Sequence, residues 1–235
     1  MEREVTGSMR TDKRIVILAG HNGSGKTLLA VNLALSLRAA IPGPVIAADM
    51  DTVKPYFRLV DAEDELKAAG IRVIAPELVH STVDLPTLPG EVRSIFDTPG
   101  AHAVLDVGGD DAGAIALGQY EAEFTRVGYE LLLVVNPYRM FTRTPEDAMT
   151  ILRDIEHVSH LRFTGIVHNP NLGGDTTEQT LLDAAPYAKS LSALSGLPIR
   201  ATAYLETLNP PAEAILGEGW PIRMFRKKEW VIYDV

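Results

Sequence analysis

Short runs of β-branched and other apolar residues alternate with helix-length stretches from one end of the chain to the other. The runs predict strands at 14–19 (RIVILA), 45–49 (VIAAD), 71–74 (IRVI), 102–107 (HAVLDV), 130–135 (ELLLVV), 164–168 (TGIVH) and 199–204 (IRATAY). Most carry no polar alternation, which is the pattern of strands covered on both faces of a parallel sheet. Helical patterns lie between them at 26–40, about 56–69, 111–126, 145–159 and 176–195, and a shorter one starts near 211 behind Asn209-Pro210-Pro211. Strand–helix alternation of this kind predicts a single-domain α/β fold, a doubly wound, mostly parallel sheet of about seven strands with helices on both faces. No repeat or composition break divides residues 14–235, which read as one domain behind a flexible tail at 1–13.

One stretch breaks the rhythm. Pro76, Pro86, Pro89 and Pro99 make 76–101 too proline-rich for one long helix. It reads as a surface crossover with a short helix near 90–97, and a substrate- or partner-facing loop is the other reading.

Composition narrows the function classes. With 46% hydrophobic and 23% charged residues among 235, the chain can bury a large core. A net charge of −9 argues against nucleic acid as a partner of the whole surface. The absence of cysteine excludes a disulfide framework, a thiolate nucleophile, a Cys-ligated zinc site and a Cys-held iron–sulfur cluster. The longest apolar runs, Ile15 to Ala19 and Leu131 to Val135, are strand-length, well short of the ~20 residues of a membrane span. No segment reads as a signal peptide, and the expected location is the cytoplasm.

The strongest chemistry stands at the end of the first predicted strand. Gly20-His21-Asn22-Gly23-Ser24-Gly25-Lys26-Thr27 is G-x-x-x-x-G-K-[ST] between a strand and a helix that begins at Lys26. Glycines let backbone N–H groups curl around phosphate oxygens, and the helix N-terminus adds its positive dipole end. Lys26 places a point charge at the β/γ-phosphates, and the Thr27 hydroxyl is a Mg²⁺ ligand. Gly20 to Leu28 are therefore the expected nucleotide-binding segment of a P-loop NTPase. Carboxylates for the metal are expected at neighbouring strand ends. Asp106 ends V-L-D-V-G-G-D, with Gly109 offering an N–H near the γ-phosphate. Asp49 ends I-A-A-D-M-D, with Asp51 two residues on.

This order of motifs, from about residue 14 to 216, resembles the deviant Walker ATPases of the ParA/MinD type, in the SIMIBI class: a phosphate loop, D-x-D closing the second strand, then D-x-G-G. The resemblance implies Lys26 and Thr27 on phosphate and Mg²⁺, Asp106 as the second Walker carboxylate, Asp49 as a ligand of Mg²⁺-bound water, and Asp51 orienting the attacking water. It also implies that the Asp106 strand lies beside the phosphate-loop strand, and that an ATP-sandwiched homodimer is the active state. The family's loop reads K-G-G-x-G-K-[ST], and its first lysine reaches the partner's phosphates. Here that position is His21, followed by Asn22. A histidine is largely neutral at pH 7 and supplies no permanent charge. Lys54 and Arg58 are the candidate substitutes.

The base reads as adenine. No N-K-x-D or T-K-x-D segment follows a late strand, and the sixth strand ends at His168-Asn169. An asparagine here hydrogen-bonds the adenine edge in the resembled family, and its amide matches adenine N6 and N7. Asn136 in V-V-N-P-Y-R is the other strand-end amide, and a helix-entry turn is its structural reading. Glu156-His157 and His160 have the spacing of a helical metal pair but lack a third ligand. The basic-aromatic stretch from Trp220 to Trp230 reads as a packed tail more than a membrane helix, because Gly217, Gly219 and Pro221 oppose a regular helix.

The expected function is a Mg²⁺-dependent ATPase with slow intrinsic turnover, binding ATP and ADP as a nucleotide-gated switch for an unknown protein partner. Neither nucleic acid nor membrane is the expected partner. The alternatives are an ATP-using small-molecule enzyme, a carboxylate-activating ligase or kinase resembling dethiobiotin synthetase, and a non-hydrolysing ATP sensor.

Overall fold

The computed structural model describes residues 9, 11–51, 58–75, 90–109 and 111–225. Eight strands form one sheet: β1 (Ile15–Ala19), β2 (Val45–Asp49), β3 (Arg72–Ile74), β4 (His102–Asp106), β5 (Glu130–Val135), β6 (Gly165–His168), β7 (Ile199–Leu205) and β8 (Glu218–Ile222). Their spatial order is β3-β2-β4-β1-β5-β6-β7-β8, and every neighbouring pair is parallel. β4 stands beside β1, as the motif order implied. After β4 the chain crosses to the other side of β1, so the crevice at the C-terminal end of β1 is where such sheets take ligands.

The all-apolar strands are explained by two core layers. Ile15, Ile17 and Ala19 face one side, with Leu105, Leu131, Leu133 and Ile166. That layer is closed by α3 (Ser94–Asp97), α4 (Asp111–Gly118), α5 (Glu121–Val127), α6 (Pro145–Ser159) and α7 (Glu178–Ser195), through side chains such as Phe96, Leu117, Phe124, Leu152 and Leu191. Val16 and Leu18 face the other side, under α1 (Lys26–Ala40) and α2 (Glu63–Ala68), which contribute Leu29, Leu33 and Leu66. Each fully buried Leu or Ile contributes roughly 1.5–3 kcal/mol. α6 starts where its sequence says it should. Pro145 follows Thr144, whose hydroxyl accepts from Asp147 N at 3.2 Å while the Asp147 carboxylate accepts from Thr144 N at 3.1 Å.

Four elements differ from the expected pattern. The sheet has an eighth strand, Glu218–Ile222, at its edge beyond β7. Gly219 and Pro221 hid it, yet an edge strand tolerates proline, and Trp220 is fully buried against the α1 layer. No helix follows Pro211, where a 3₁₀ turn spans Ala212–Ala214. The helical pattern at 111–126 breaks after Gly118 into α4 and α5. In the 56–69 pattern, a 3₁₀ turn at Leu59–Ala62 precedes α2, and 52–57 lie outside the described residues.

The described part of the crossover, 90–101, is a 3₁₀ turn (Gly90–Arg93) running into α3. Val92, Ile95 and Phe96 are buried, and Arg14 donates to the carbonyls of Ile95, Ala101 and Phe96 at 3.1, 3.2 and 3.3 Å. Residues 76–89, where a substrate-facing loop would lie, fall outside the described residues. Of the expected tail, Met9 is buried, and Asp12 reaches Arg200 at 3.2 Å. At the other end, Asn32 on α1 pins the backbone of Arg223 with bonds of 3.0 and 2.8 Å. The tail is packed that far; 226–235 lie outside the described residues. Among the described residues no helix is long and apolar enough to cross a membrane.

Candidate functional site

The loop from Gly20 to Gly25 leaves the end of β1 and turns into α1, whose first residues are Lys26 and Thr27. Gly25 caps the helix in a left-handed conformation, φ 95°. A Cβ there would also collide with the Asn169 amide nitrogen, so only glycine fits. The Lys26 side chain is buried and folds over its own loop, donating to the carbonyls of Gly20 at 2.8 Å and His21 at 3.0 Å. The charge is thereby held against the curl of the loop backbone.

Asp106 reaches the first turn of α1 through Thr27, and Asp49 and Asp51 stand at the neighbouring strand end. Asp49 and Asp106 are register partners at the ends of adjacent strands, both almost fully buried. The Thr27 hydroxyl donates to Asp106 Oδ2 at 2.5 Å, which joins the two groups expected to serve Mg²⁺. Asp51 lies 2% exposed, and its backbone N–H donates to Asp49 Oδ1 at 2.9 Å. Arg58 closes the cluster, with Nε 3.2 Å from Asp49 Oδ2 and Nη2 3.1 Å from the Asp51 carbonyl. Arg58, one of the two candidate substitutes for a loop lysine, is thus ion-paired with Asp49. Lys54 lies outside the described residues.

Gly109 packs edge-on against the loop, and a Cβ on it would strike the backbone of His21 and Asn22. His21 does not reach outward. Its ring stacks on Phe141 at 4.6 Å and 29°, and Nδ1 lies 2.9 Å from the Asn22 carbonyl. Leu28 is half-buried on α1 and packs into the α1 core layer.

Asn169 follows β6 and is buried. Its Nδ2 donates to the Ser24 carbonyl at 2.7 Å, which fixes the loop from below, while Oδ1 has no hydrogen-bond partner among the described residues. Asn136 behaves as a turn residue. Its Nδ2 donates to the Asn171 carbonyl at 2.8 Å, and its Oδ1 accepts from Tyr138 N at 3.1 Å. Glu156 is equally structural, accepting from Arg162 at 2.6 Å and from Phe163 N at 2.9 Å. Among the described residues no three His, Asp or Glu side chains converge as a metal site. The Mg²⁺ set expected at Thr27 differs in kind, because most of its ligands are phosphate oxygens and water.

Two residues near the loop carried no sequence signal. Phe141 is 57% exposed beside His21, and Arg139 lies along Gly23. Both belong to the turn after β5, and only the β1–β5 pairing brings that turn to the phosphate loop.

His168, next to Asn169 but on the opposite face of the sheet, is fully buried with neither ring nitrogen hydrogen-bonded among the described residues. Burial lowers its pKa to about 3. In the unfolded chain an ordinary histidine, near 6.5, binds a proton that the folded one refuses. Stability is therefore complete above about pH 6.5 and falls as pH drops toward 3, by at most about 1.4 kcal/mol per pH unit from this group. Urea unfolding between pH 7 and pH 4 should show a weaker decline for His168→Leu than for the wild type. Identical slopes would remove His168 as the cause.

No protein-family model matches the chain, and no curated protein matches its sequence. Solved structures do match its fold. FtsY of Mycoplasma mycoides is 16% identical, with a TM-score of 0.52 over 87% of this chain and 63% of that one. Cell division protein FtsY of Thermotoga maritima is also 16% identical, with a TM-score of 0.53 over 98% and 71% of the respective chains. The 54 kDa signal recognition particle protein of Aeropyrum pernix, solved in complex with GDP, is 18% identical, with a TM-score of 0.50 over 90% and 46%. The chain thus spans between about half and three quarters of these neighbours' lengths. At such identities the likeness is one of fold: the chain has the P-loop NTPase-like α/β fold of FtsY and the signal recognition particle protein.

Proposed function

We propose that the chain is a Mg²⁺-dependent, ATP-preferring P-loop hydrolase that works as a nucleotide-gated switch on a partner. One observation carries the reading. The Thr27 hydroxyl meets the strand-end Asp106 at 2.5 Å directly beside a loop that holds a buried lysine. A hydroxyl, a carboxylate and an ammonium at a helix N-terminus suit a metal-bound polyphosphate and few other ligands. Mg²⁺, held by Thr27 and by Asp106 and Asp49 through water, would supply charge neutralisation at the β- and γ-phosphates. Lys26 would turn from the loop carbonyls onto phosphate oxygens. Asp51 would orient the attacking water, a positioning role rather than a covalent one.

Adenine is favoured by the free atom of Asn169. With Nδ2 engaged by Ser24, the remaining oxygen is an acceptor, and adenine offers a donor at N6 where guanine carries the acceptor O6. Guanine is the second reading, because the Aeropyrum neighbour was solved with GDP. Calorimetric titration with Mg-ATP and Mg-GTP tests the base. Asn169→Ala should weaken ATP roughly fivefold to tenfold, the worth of one neutral hydrogen bond, and narrow the ATP/GTP ratio. An unchanged ratio overturns the base assignment. The switch would run through an ATP-dependent homodimer or a heterologous partner, and light scattering with and without Mg-ATP separates the two. A rise in turnover on adding carboxylates would instead favour a small-molecule ligase.

A further inference from the structure

We propose that Arg139 is a phosphate-contacting residue of the same site, supplying in cis the permanent charge that His21 does not; this rests on the nucleotide reading above. A Cβ built on Gly23 would lie 3.8 Å from Arg139 Cδ and 3.9 Å from Arg139 Nε. The arginine stem therefore passes the loop at its middle glycine, with Nε beside it on an exposed side chain. Among the described residues the guanidinium has no ion pair and no hydrogen bond, unlike Arg58, which is tied to Asp49. A cation kept beside the loop of a buried lysine, without a carboxylate of its own, is matched by a polyanion.

The geometry around it is built. Arg139 N donates to the Asn136 carbonyl at 3.1 Å, and Thr142 N donates to the Arg139 carbonyl at 3.1 Å. The Thr142 hydroxyl adds a 2.6 Å bond to the same Asn136 carbonyl, and Tyr138 OH anchors the turn to the Thr180 carbonyl on α7 at 2.7 Å. The stacked pair of His21 and Phe141 then clamps this turn to the phosphate loop. His21 contributes packing at the position where the resembled family has a charge, and Arg139 brings a planar fork of donors from two residues before Phe141.

The test is calorimetry of Mg-ATP, Mg-ADP and AMP, or the guanine series if it binds more tightly, on wild type, Arg139→Ala, Arg139→Lys and Lys26→Ala. Arg139→Ala should weaken the triphosphate roughly ten- to a hundredfold, the diphosphate less and the monophosphate least, with Arg139→Lys recovering part of the loss. Equal losses for all three nucleotides would mean that Arg139 only shapes the turn, and would overturn the inference. So would unchanged triphosphate binding in Arg139→Ala while Lys26→Ala abolishes it. If Lys26→Ala also bound normally, the nucleotide reading itself would fall.

Discussion

Lys26→Ala should reduce triphosphate binding by at least about a hundredfold while the protein stays folded. The lysine is a buried charge of the loop and donates to the loop carbonyls of Gly20 and His21. Charged hydrogen bonds to phosphate are worth ~1.5–3 kcal/mol each, so losing two costs at least two orders of magnitude in affinity. Alanine is a good helix former and leaves the first turn of α1 intact. The loop keeps its shape through the bond from Asn169 to Ser24 and through Gly25. Calorimetry for binding and thermal melting for fold together check the result. Undiminished affinity in a folded variant would remove the nucleotide site altogether.

Asp51→Ala should do the reverse, holding ATP within about threefold of wild type while turnover falls at least about a hundredfold. The Asp51 main chain is tied to the cluster, N–H to Asp49 and carbonyl to Arg58, and alanine preserves both of these contacts. The substitution removes the carboxylate, the group to which the proposed function gives the positioning of the attacking water. Single-turnover hydrolysis measured beside equilibrium binding separates the two effects. Equal turnover in the variant would transfer the water-positioning role elsewhere. An inactive wild type that binds ATP tightly would make the chain a sensor.

The strand, the glycine loop and the helix from Ile15 to Ala40 were legible because an apolar run, glycines for curvature and a helix-length pattern follow one another directly. Seven strands were legible for a related reason, since consecutive apolar residues need cover on both faces. β8 was not, because Gly219 and Pro221 suppress the strand pattern and only the buried Trp220 shows what it packs against. The break between α4 and α5 was hidden by a continuous helical pattern through Gly118. Within the site, Asp49, Asp51 and Asp106 stood out because strand ends collect ligands. The engagement of Arg58 by Asp49, and the approach of Arg139 to Gly23, depend on which strands become neighbours. No spacing along the chain encodes that.

The central place of β1 also bears on how the chain acquires its structure. Its partners are β4 and β5, so Ile15 is paired with Ala103 and Val16 with Glu130. No segment close in sequence can shelter its five apolar residues in the sheet. During synthesis this strand leaves the ribosome well before either partner, and large loops must close before its first ladder bond forms. β2 and β3 can pair with each other earlier, but they join β1 only through β4. Vectorial assembly therefore converges late on the strand that carries the phosphate loop, and until β4 and β5 arrive its apolar edges are open to chaperones and to aggregation.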